Sequence, residues 1–304
     1  MDAGFWKRPA FYPRPGEDVW ASIKREARAV RERVGLCDVS TLGKIAVEGP
    51  DAAVFLDRVY ANTFSTLAVG RARYGLMLRD DGIVFDDGTT TRFGPDRYYM
   101  TTTTAQAGPA LQHLEFHAQT AFPDLDVTLA GVTDQWAAMS LAGPRARDVL
   151  AAVMGGFDLS NAAFPFMAAA ECAVAGVPSR LFRISFSGEL AYEIHCLSGH
   201  AERVWTALMA AGAAHGIEPY GTEALGLLRI EKGHVAGPEI NGQTTARDLG
   251  LGRMMKKRGD YIGRVLAQRQ VLADPSRPRL VGLRAVDPAQ VVRAGAHLVE
   301  RCLL

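Results

Sequence analysis

The stretch Tyr74-Gly-Leu-Met-Leu-Arg-Asp-Asp-Gly-Ile-Val-Phe-Asp-Asp87 decides how the rest of the chain reads. Residues 73–78 and 83–85 are two short apolar runs. Asp80-Asp81-Gly82 between them has the chemistry of a tight hairpin turn, in which glycine supplies the positive φ. Asp86 and Asp87 close the second run. Side chains alternate across a strand, so one acid is expected to face solvent and the other a pocket. Two readings stay open: a pair of solvated strand-end acids, or a carboxylate beside an apolar wall that orients an amine or a heterocycle.

Outward from this hairpin the pattern is α+β. Residues 8–16, rich in Pro and aromatics, read as an extended arm. Val19, Trp20, Ile23, Ala27, Val30 and Val34 predict a helix over about 17–34, ended by Gly35 as a left-handed cap. Residues 44–47 read as a strand. Gly49-Pro50 then breaks it and opens a helix through Ala53, Leu56 and Val59. This strand–Gly-Pro–helix unit returns: Ile45-Ala-Val-Glu-Gly-Pro-Asp-Ala is echoed by Met139-Ser-Leu-Ala-Gly-Pro-Arg-Ala. Two copies point to two related α+β halves around one centre.

Between the copies lie a strand at 98–103, in which Thr101 to Thr104 could line a polar pocket, and a helix with Leu111, Leu114 and Ala118. After the second copy, 170–174 and 179–186 form a hairpin about Ala175-Gly176. A turn at Ser187-Gly188-Glu189 leads into a strand at 191–196. Helices come next at about 200–214 and 223–232. Residues 233–252, rich in Gly, Asn, Thr and Pro, form a loop of functional length. Leu280-Val-Gly-Leu-Arg284 reads as a new strand.

The chain has 304 residues, 48% of them hydrophobic, and a net charge of +1, so no global field draws it to nucleic acid or membrane. Cys37, Cys172, Cys196 and Cys302 form no CxxC pair, which argues against a zinc site or disulfide scaffold and for a reducing compartment. No leader-like or membrane-spanning run is present, and the expectation is a soluble, cytoplasmic protein. GxGxxG, P-loop and GxSxG motifs are missing. His113 and His117 share a helical face without a third ligand, and His234 has no metal-spaced companion, so no metal is expected.

Glu193 is the second informative residue. It stands mid-strand between Tyr192 and Ile194, where a carboxylate is costly unless exposed or hydrogen-bonded. It is either an outward-facing strand glutamate or an acceptor for paired N–H groups on a guanidine-like ring edge, such as a pterin's. Arg229, in Leu227-Leu-Arg-Ile-Glu-Lys-Gly-His234, reads by itself as a solvated helix charge. Lys24, Arg25 and Arg28 read likewise as solvated.

These motifs together resemble the aminomethyltransferase (glycine-cleavage T-protein) superfamily. They look most like the C-terminal half of the alpha subunit of heterotetrameric sarcosine oxidase. The resemblance runs from Trp6 to the C-terminus and rests on Val39-Ser-Thr-Leu-Gly-Lys-Ile45, Phe85-Asp-Asp-Gly-Thr-Thr90, Arg183-Ile-Ser-Phe-Ser-Gly-Glu-Leu-Ala-Tyr-Glu193 and Pro219-Tyr-Gly-Thr-Glu223. It implies a folate-binding fold of two α+β subdomains over residues 1–275 around a central channel, and the start of an incomplete C-terminal β-barrel over 276–304. It implies tetrahydrofolate as cofactor. Asp87 would be the catalytic residue at the folate nitrogens, Tyr74 would line that site and Glu193 would grip the pterin. Thr104, Phe186 and Arg229 would complete the folate-binding set.

Three departures from the T-protein pattern suit the sarcosine-oxidase branch: Phe186 replaces a tyrosine, Leu225 an arginine, and a threonine near Thr104 an asparagine. On that branch the chain would trap an iminium carbon from sarcosine oxidation as 5,10-methylenetetrahydrofolate. Its partners would be a small-molecule one-carbon donor and flavin-bearing sarcosine oxidase subunits, with no nucleic acid or membrane. The family's alpha subunit continues on both sides of this region, so the sequence is expected to be a fragment or a truncated gene product. The alternatives are a glycine-cleavage aminomethyltransferase, methyl transfer from a sulfonium compound, and a non-catalytic folate-binding scaffold. Lys232-Gly233-His234-Val235 lacks the cysteine of the family's iron–sulfur-assembly relatives.

Overall fold

The computed structural model describes residues 1–3, 5–255, 259–287 and 290. In chain order, α1 (Val19–Glu32) leads into β1 (Gly35–Asp38). Next come β2 (Gly43–Glu48), α2 (Ala52–Val59), β3 (Arg71–Leu78), β4 (Val84–Gly94), β5 (Arg97–Thr102), α3 (Ala107–Thr120) and β6 (Thr128–Gly131). The second run is β7 (Trp136–Ala142), α4 (Ala146–Ala152), β8 (Ala169–Val174), β9 (Val177–Phe182), β10 (Ala191–Leu197), α5 (Ala201–Gly212), β11 (Glu218–Pro219) and α6 (Thr222–Lys232).

The two halves expected from the repeated Gly-Pro motif are present. The first sheet has the order β3-β4-β5-β2-β6, the second β8-β9-β10-β7-β1-β11. In each, the motif strand feeds a helix, then a three-stranded meander whose last strand pairs back onto the motif strand. Gly49 and Gly143 hold matching backbone conformations, φ +134° and +131°. A Cβ on Gly49 would run into the carbonyl oxygen of Asp126, and one on Gly143 into that of Arg33. Glycine is therefore required at both turns.

Each sheet buries one face under its own helices. Ile45, Val47, Tyr98 and Met100 pack on Phe55, Leu56 and Leu114 of α2 and α3. Met139, Leu141, Leu181 and Ile194 pack on Val149, Leu150, Val204 and Leu208 of α4 and α5. The opposite faces turn toward each other. Tyr99 of β5 stacks on Phe182 of β9 at 6.0 Å, within a small apolar cluster that also holds Phe93 and Trp136. The remaining part of the second sheet's inner face is covered by α1 and α6 through Ile23, Ala27, Val30, Ala224 and Leu228.

Several boundaries differ from expectation. Asp18 caps α1 through the amide of Ala21 at 2.7 Å, so the helix opens at Val19 rather than at 17. Gly35 is not a left-handed cap; it begins β1, where a Cβ would meet Val30 and the Tyr220 ring. The 179–186 strand ends at Phe182, because Arg183 turns to exchange backbone bonds with Met167 and Ala168. Residues 280–284 form no strand; the Leu280 amide instead donates to the carbonyl of Asp248. The expected barrel otherwise falls largely outside the described residues.

Candidate functional site

The hairpin β3–β4 positions the first acids. Gly82 (φ +88°) and the Asp81 carboxylate, which accepts the Ile83 amide at 3.0 Å, shape its tip. The tip is braced from outside, since a Cβ on Gly82 would strike the Ala267 backbone. Met77 pairs with Asp86 and Leu78 with Val84, so Phe85 is an extra residue, a bulge that re-aims Asp86 and Asp87.

Beyond the bulge the two acids point to opposite faces of the sheet, and neither faces solvent as the sequence suggested for one of them. Asp86 is 1% exposed and Asp87 9%. The Asp86 carboxylate receives the Thr103 hydroxyl at 2.8 Å and the Thr103 amide at 3.2 Å. Burial, with the charge of Asp87 beside it, pushes Asp86 up to about 7. Asp87 accepts the Tyr74 hydroxyl at 2.6 Å. Burial also raises Asp87, and the Tyr74 hydrogen bond works against that rise. Tyr74 itself is pushed upward by burial and by Asp87, so it is a donor.

Leu76 lies opposite Asp87, and Tyr74 opposite Thr89, which places Tyr74, Asp87 and Thr89 on one face. Thr89 and Thr101 share a hydrogen bond at 2.8 Å on that face, next to Lys44, the cross-strand partner of Thr101. Lys44 is fully buried and donates to the carbonyls of Ser40 (2.7 Å) and Leu42 (2.9 Å). Burial draws its ammonium down to about 8, opposed by Glu193, Asp38 and Asp134.

Glu193 answers from the second sheet. It sits on β10 between Phe182 and Ser140 in a cross-strand row, on the face turned toward the first sheet. Its side chain is 13% exposed, and His195 Nε2 lies 3.5 Å from its Oε2. The other ring nitrogen of His195 is 3.0 Å from the Tyr99 hydroxyl.

The remaining expected residues have partners other than these carboxylates. Phe186 stacks on His234 at 5.6 Å with the rings 9° from parallel. Arg229 is not a solvated charge: it bonds Glu239 at 2.7 Å and the His234 carbonyl at 3.2 Å, pinning the 233–252 loop to α6. That loop lays Val235, Ala246 and Leu249 against Leu76, Leu78 and Val84, with Tyr74 packed beside them, so it covers the hairpin on the Tyr74 and Asp87 face. The Thr104 hydroxyl pairs with Thr41 at 3.1 Å. Arg25, expected to meet solvent, is bound by Glu17, Glu218 and the Tyr12 carbonyl.

Thr103, Lys44, Tyr99 and His195 were not singled out by sequence. The available signals were a lysine in an otherwise apolar strand and a histidine two residues after Glu193, hence on the same strand face. Among the described residues no group of three His, Cys, Asp or Glu could hold a metal. No helix among them is long and apolar enough to cross a membrane. A 590 Å³ cleft on the outer side of the second sheet is lined by Val153, Phe157 and Cys172 with glycines, and offers no charged group.

Comparison with known proteins bears on the family and the fold. The family model described as the GCVT N-terminal domain matches residues 1–259. Sarcosine oxidase subunit alpha from Rhizobium meliloti (strain 1021) is 52% identical over 305 residues, covering 99% of this chain and 31% of that protein. The aminomethyltransferase of Streptomyces avermitilis is 33% identical over 285 residues, covering 92% of this chain and 74% of that one. Among solved structures, the glycine cleavage system aminomethyltransferase T from Bartonella henselae superposes with a TM-score of 0.75 at 25% identity, covering 88% and 69% of the two chains. The chain thus spans about a third of the sarcosine oxidase subunit it resembles.

Proposed function

The chain belongs to the GCVT N-terminal domain family, and from that premise we propose that it is a tetrahydrofolate-dependent one-carbon transferase whose site lies between its two sheets. The buried Tyr74–Asp87 pair carries the reading. Asp87 and Glu193 fit a folate chemically: each has one close side-chain neighbour, and a carboxylate accepts about four hydrogen bonds, so acceptor positions stay open for the ligand's N–H groups.

Folate supplies the nucleophilic nitrogens that take up a carbon at the formaldehyde level, giving 5,10-methylenetetrahydrofolate. The chain's part is to bind, orient and move protons. Glu193 takes the amino-pyrimidine edge in paired, charge-assisted hydrogen bonds. Asp87 faces the reacting nitrogens, offsets the positive charge that develops there and accepts the proton released. Burial raises its affinity for protons, which suits a proton acceptor. Tyr74 fixes the carboxylate by donating to Oδ2. Thr104, Phe186 and Arg229 act outside this pair; Arg229 holds the loop that packs beside Tyr74 on the hairpin, and Phe186 with His234 offers an aromatic surface.

The carbon would arrive as an iminium from oxidation of sarcosine or a related N-methyl amine on flavin-bearing partner subunits. The 52% identity to a sarcosine oxidase alpha subunit supports this donor over glycine cleavage. Calorimetric titration of 5-formyltetrahydrofolate into the chain tests the site. Saturable binding that Glu193→Gln weakens and Asp87→Asn retains is the expected result. A folded wild type that binds no reduced folate overturns the reading.

A further inference from the structure

His195 is fully buried in the gap between the sheets, away from any solvent proton source. Its Nδ1 meets the hydroxyl of Tyr99 from the first sheet at 3.0 Å. Its Nε2 is buried without a hydrogen-bond partner, and Glu193 Oε2 lies 3.5 Å away. Burial holds the imidazole below its ordinary proton affinity, reinforced by Lys44 and Arg180 and opposed by Glu193, so the ring is neutral at neutral pH.

A neutral imidazole carries one proton, and its two neighbours decide where. Burial raises Tyr99 well above the usual phenol range, so its hydroxyl keeps a proton to donate. If Tyr99 donates to Nδ1, the ring proton sits on Nε2 and points at Glu193. The other tautomer would set the Nε2 lone pair against a carboxylate, which is repulsive. Tyr99 is held in place for this task by Phe182 stacked on its ring and by Arg180, whose guanidinium lies 4.5 Å over it.

We propose that His195 is a positioning residue for Glu193: Tyr99 fixes the tautomer, and the Nε2–H steadies one carboxylate oxygen while the other faces the folate ring edge. This rests on the reading of the site given above. The contact, 3.5 Å here, shortens when a bound ligand draws the carboxylate into line.

The test uses the full chain. Nitrogen-15 NMR of histidine-labelled protein without ligand should report the Nε2–H tautomer for His195, and Tyr99→Phe should redistribute it. With 5-formyltetrahydrofolate as titrant, His195→Leu should weaken binding about tenfold. His195→Gln, which keeps an N–H donor near the same place, should stay within about threefold of wild type. Near-ultraviolet circular dichroism checks that each variant is folded, and Tyr99→Phe carries the test if His195→Leu is not. An Nδ1–H or protonated ring, a tautomer indifferent to Tyr99→Phe, or unchanged affinity in folded His195→Leu overturns the proposal while the site reading stands. A wild type with the Nε2–H tautomer that binds no reduced folate overturns the site reading, and the proposal with it.

Discussion

Asp86 and Asp87 are consecutive residues whose carboxylates belong to different environments: Thr103 donates twice to the first, and the Tyr74 phenol donates to the second. The separation arises from the bulge at Phe85 and the alternation of the strand. It lets one acid serve the fold while its neighbour lies on the face turned toward the second sheet.

Asp86 is expected to make stability fall as pH rises through neutrality. Its proton affinity is higher in the folded chain than in the unfolded one, where the ordinary value of 3.8 applies, and reaches about 7. Its contribution is therefore complete below pH 3.8 and is lost as pH rises through about 7. Asp86→Asn can accept the Thr103 amide at Oδ1 and donate its NH2 to the Thr103 hydroxyl, which then serves as acceptor, and should flatten this dependence. The difference between wild type and variant should be on the order of 2–4 kcal/mol across the window. Urea unfolding at a series of pH values measures it. Asp87→Asn should move the wild-type fall to lower pH, because the charge of Asp87 helps hold the Asp86 proton.

At the reacting end, Asp87→Asn should cut the rate of one-carbon transfer by about a hundredfold or more while leaving reduced-folate affinity within a few-fold. Tyr74→Phe should act in the same direction and more weakly, since the carboxylate survives without its orienting donor. Single-turnover formation of 5,10-methylenetetrahydrofolate from formaldehyde and tetrahydrofolate checks both. Equal loss of affinity and rate in Asp87→Asn would assign it to binding alone.

The matched glycines offer a test of the architecture. Gly49→Ala and Gly143→Ala each place a Cβ against a backbone carbonyl at φ near +130° and should destabilise the fold by about 2–4 kcal/mol. Gly108→Ala, in α3 with open space around it, should instead stabilise by about 0.5–1 kcal/mol. Thermal unfolding of the three variants separates the cases.

Arg229→Gln should release the loop over residues 233–252 without unfolding either sheet. The lost partners are Glu239 and the His234 carbonyl. Limited proteolysis should then cut within this loop several times faster than in wild type, while the melting temperature changes little.

Much of this was legible in the sequence because it was local. The Asp80-Asp81-Gly82 turn, the repeated Gly-Pro breaks and the left-handed Gly233 ending α6 are decided by residues within a few positions of one another. A glutamate in the middle of an apolar strand announced Glu193. What sequence did not disclose depends on tertiary contacts that no local pattern encodes. Thr103, just past the neighbouring strand, holds Asp86, and nothing in a threonine run says which member does so. Gly35 came directly after a helix and so resembled a cap, yet packing against Val30 and Tyr220 put it in a strand instead. Arg229 looked like a surface charge because its partner, Glu239, lies in a loop without periodicity.

The paired order of the two sheets has a consequence for how such a cleft tells one end of a ligand from the other. Counting back from Gly49 and Gly143, Lys44 corresponds to Ala138, and their cross-strand partners Thr101 and His195 correspond to each other. By the same count Tyr99 corresponds to Glu193. A duplicated unit facing its own copy would offer identical chemistry from both walls. Here every matched pair has diverged: cation against methyl, hydroxyl against imidazole, phenol against carboxylate. The cleft's sense of direction is therefore written in the differences between the copies. Exchanging one matched pair should degrade orientation of a bound molecule before it degrades the scaffold.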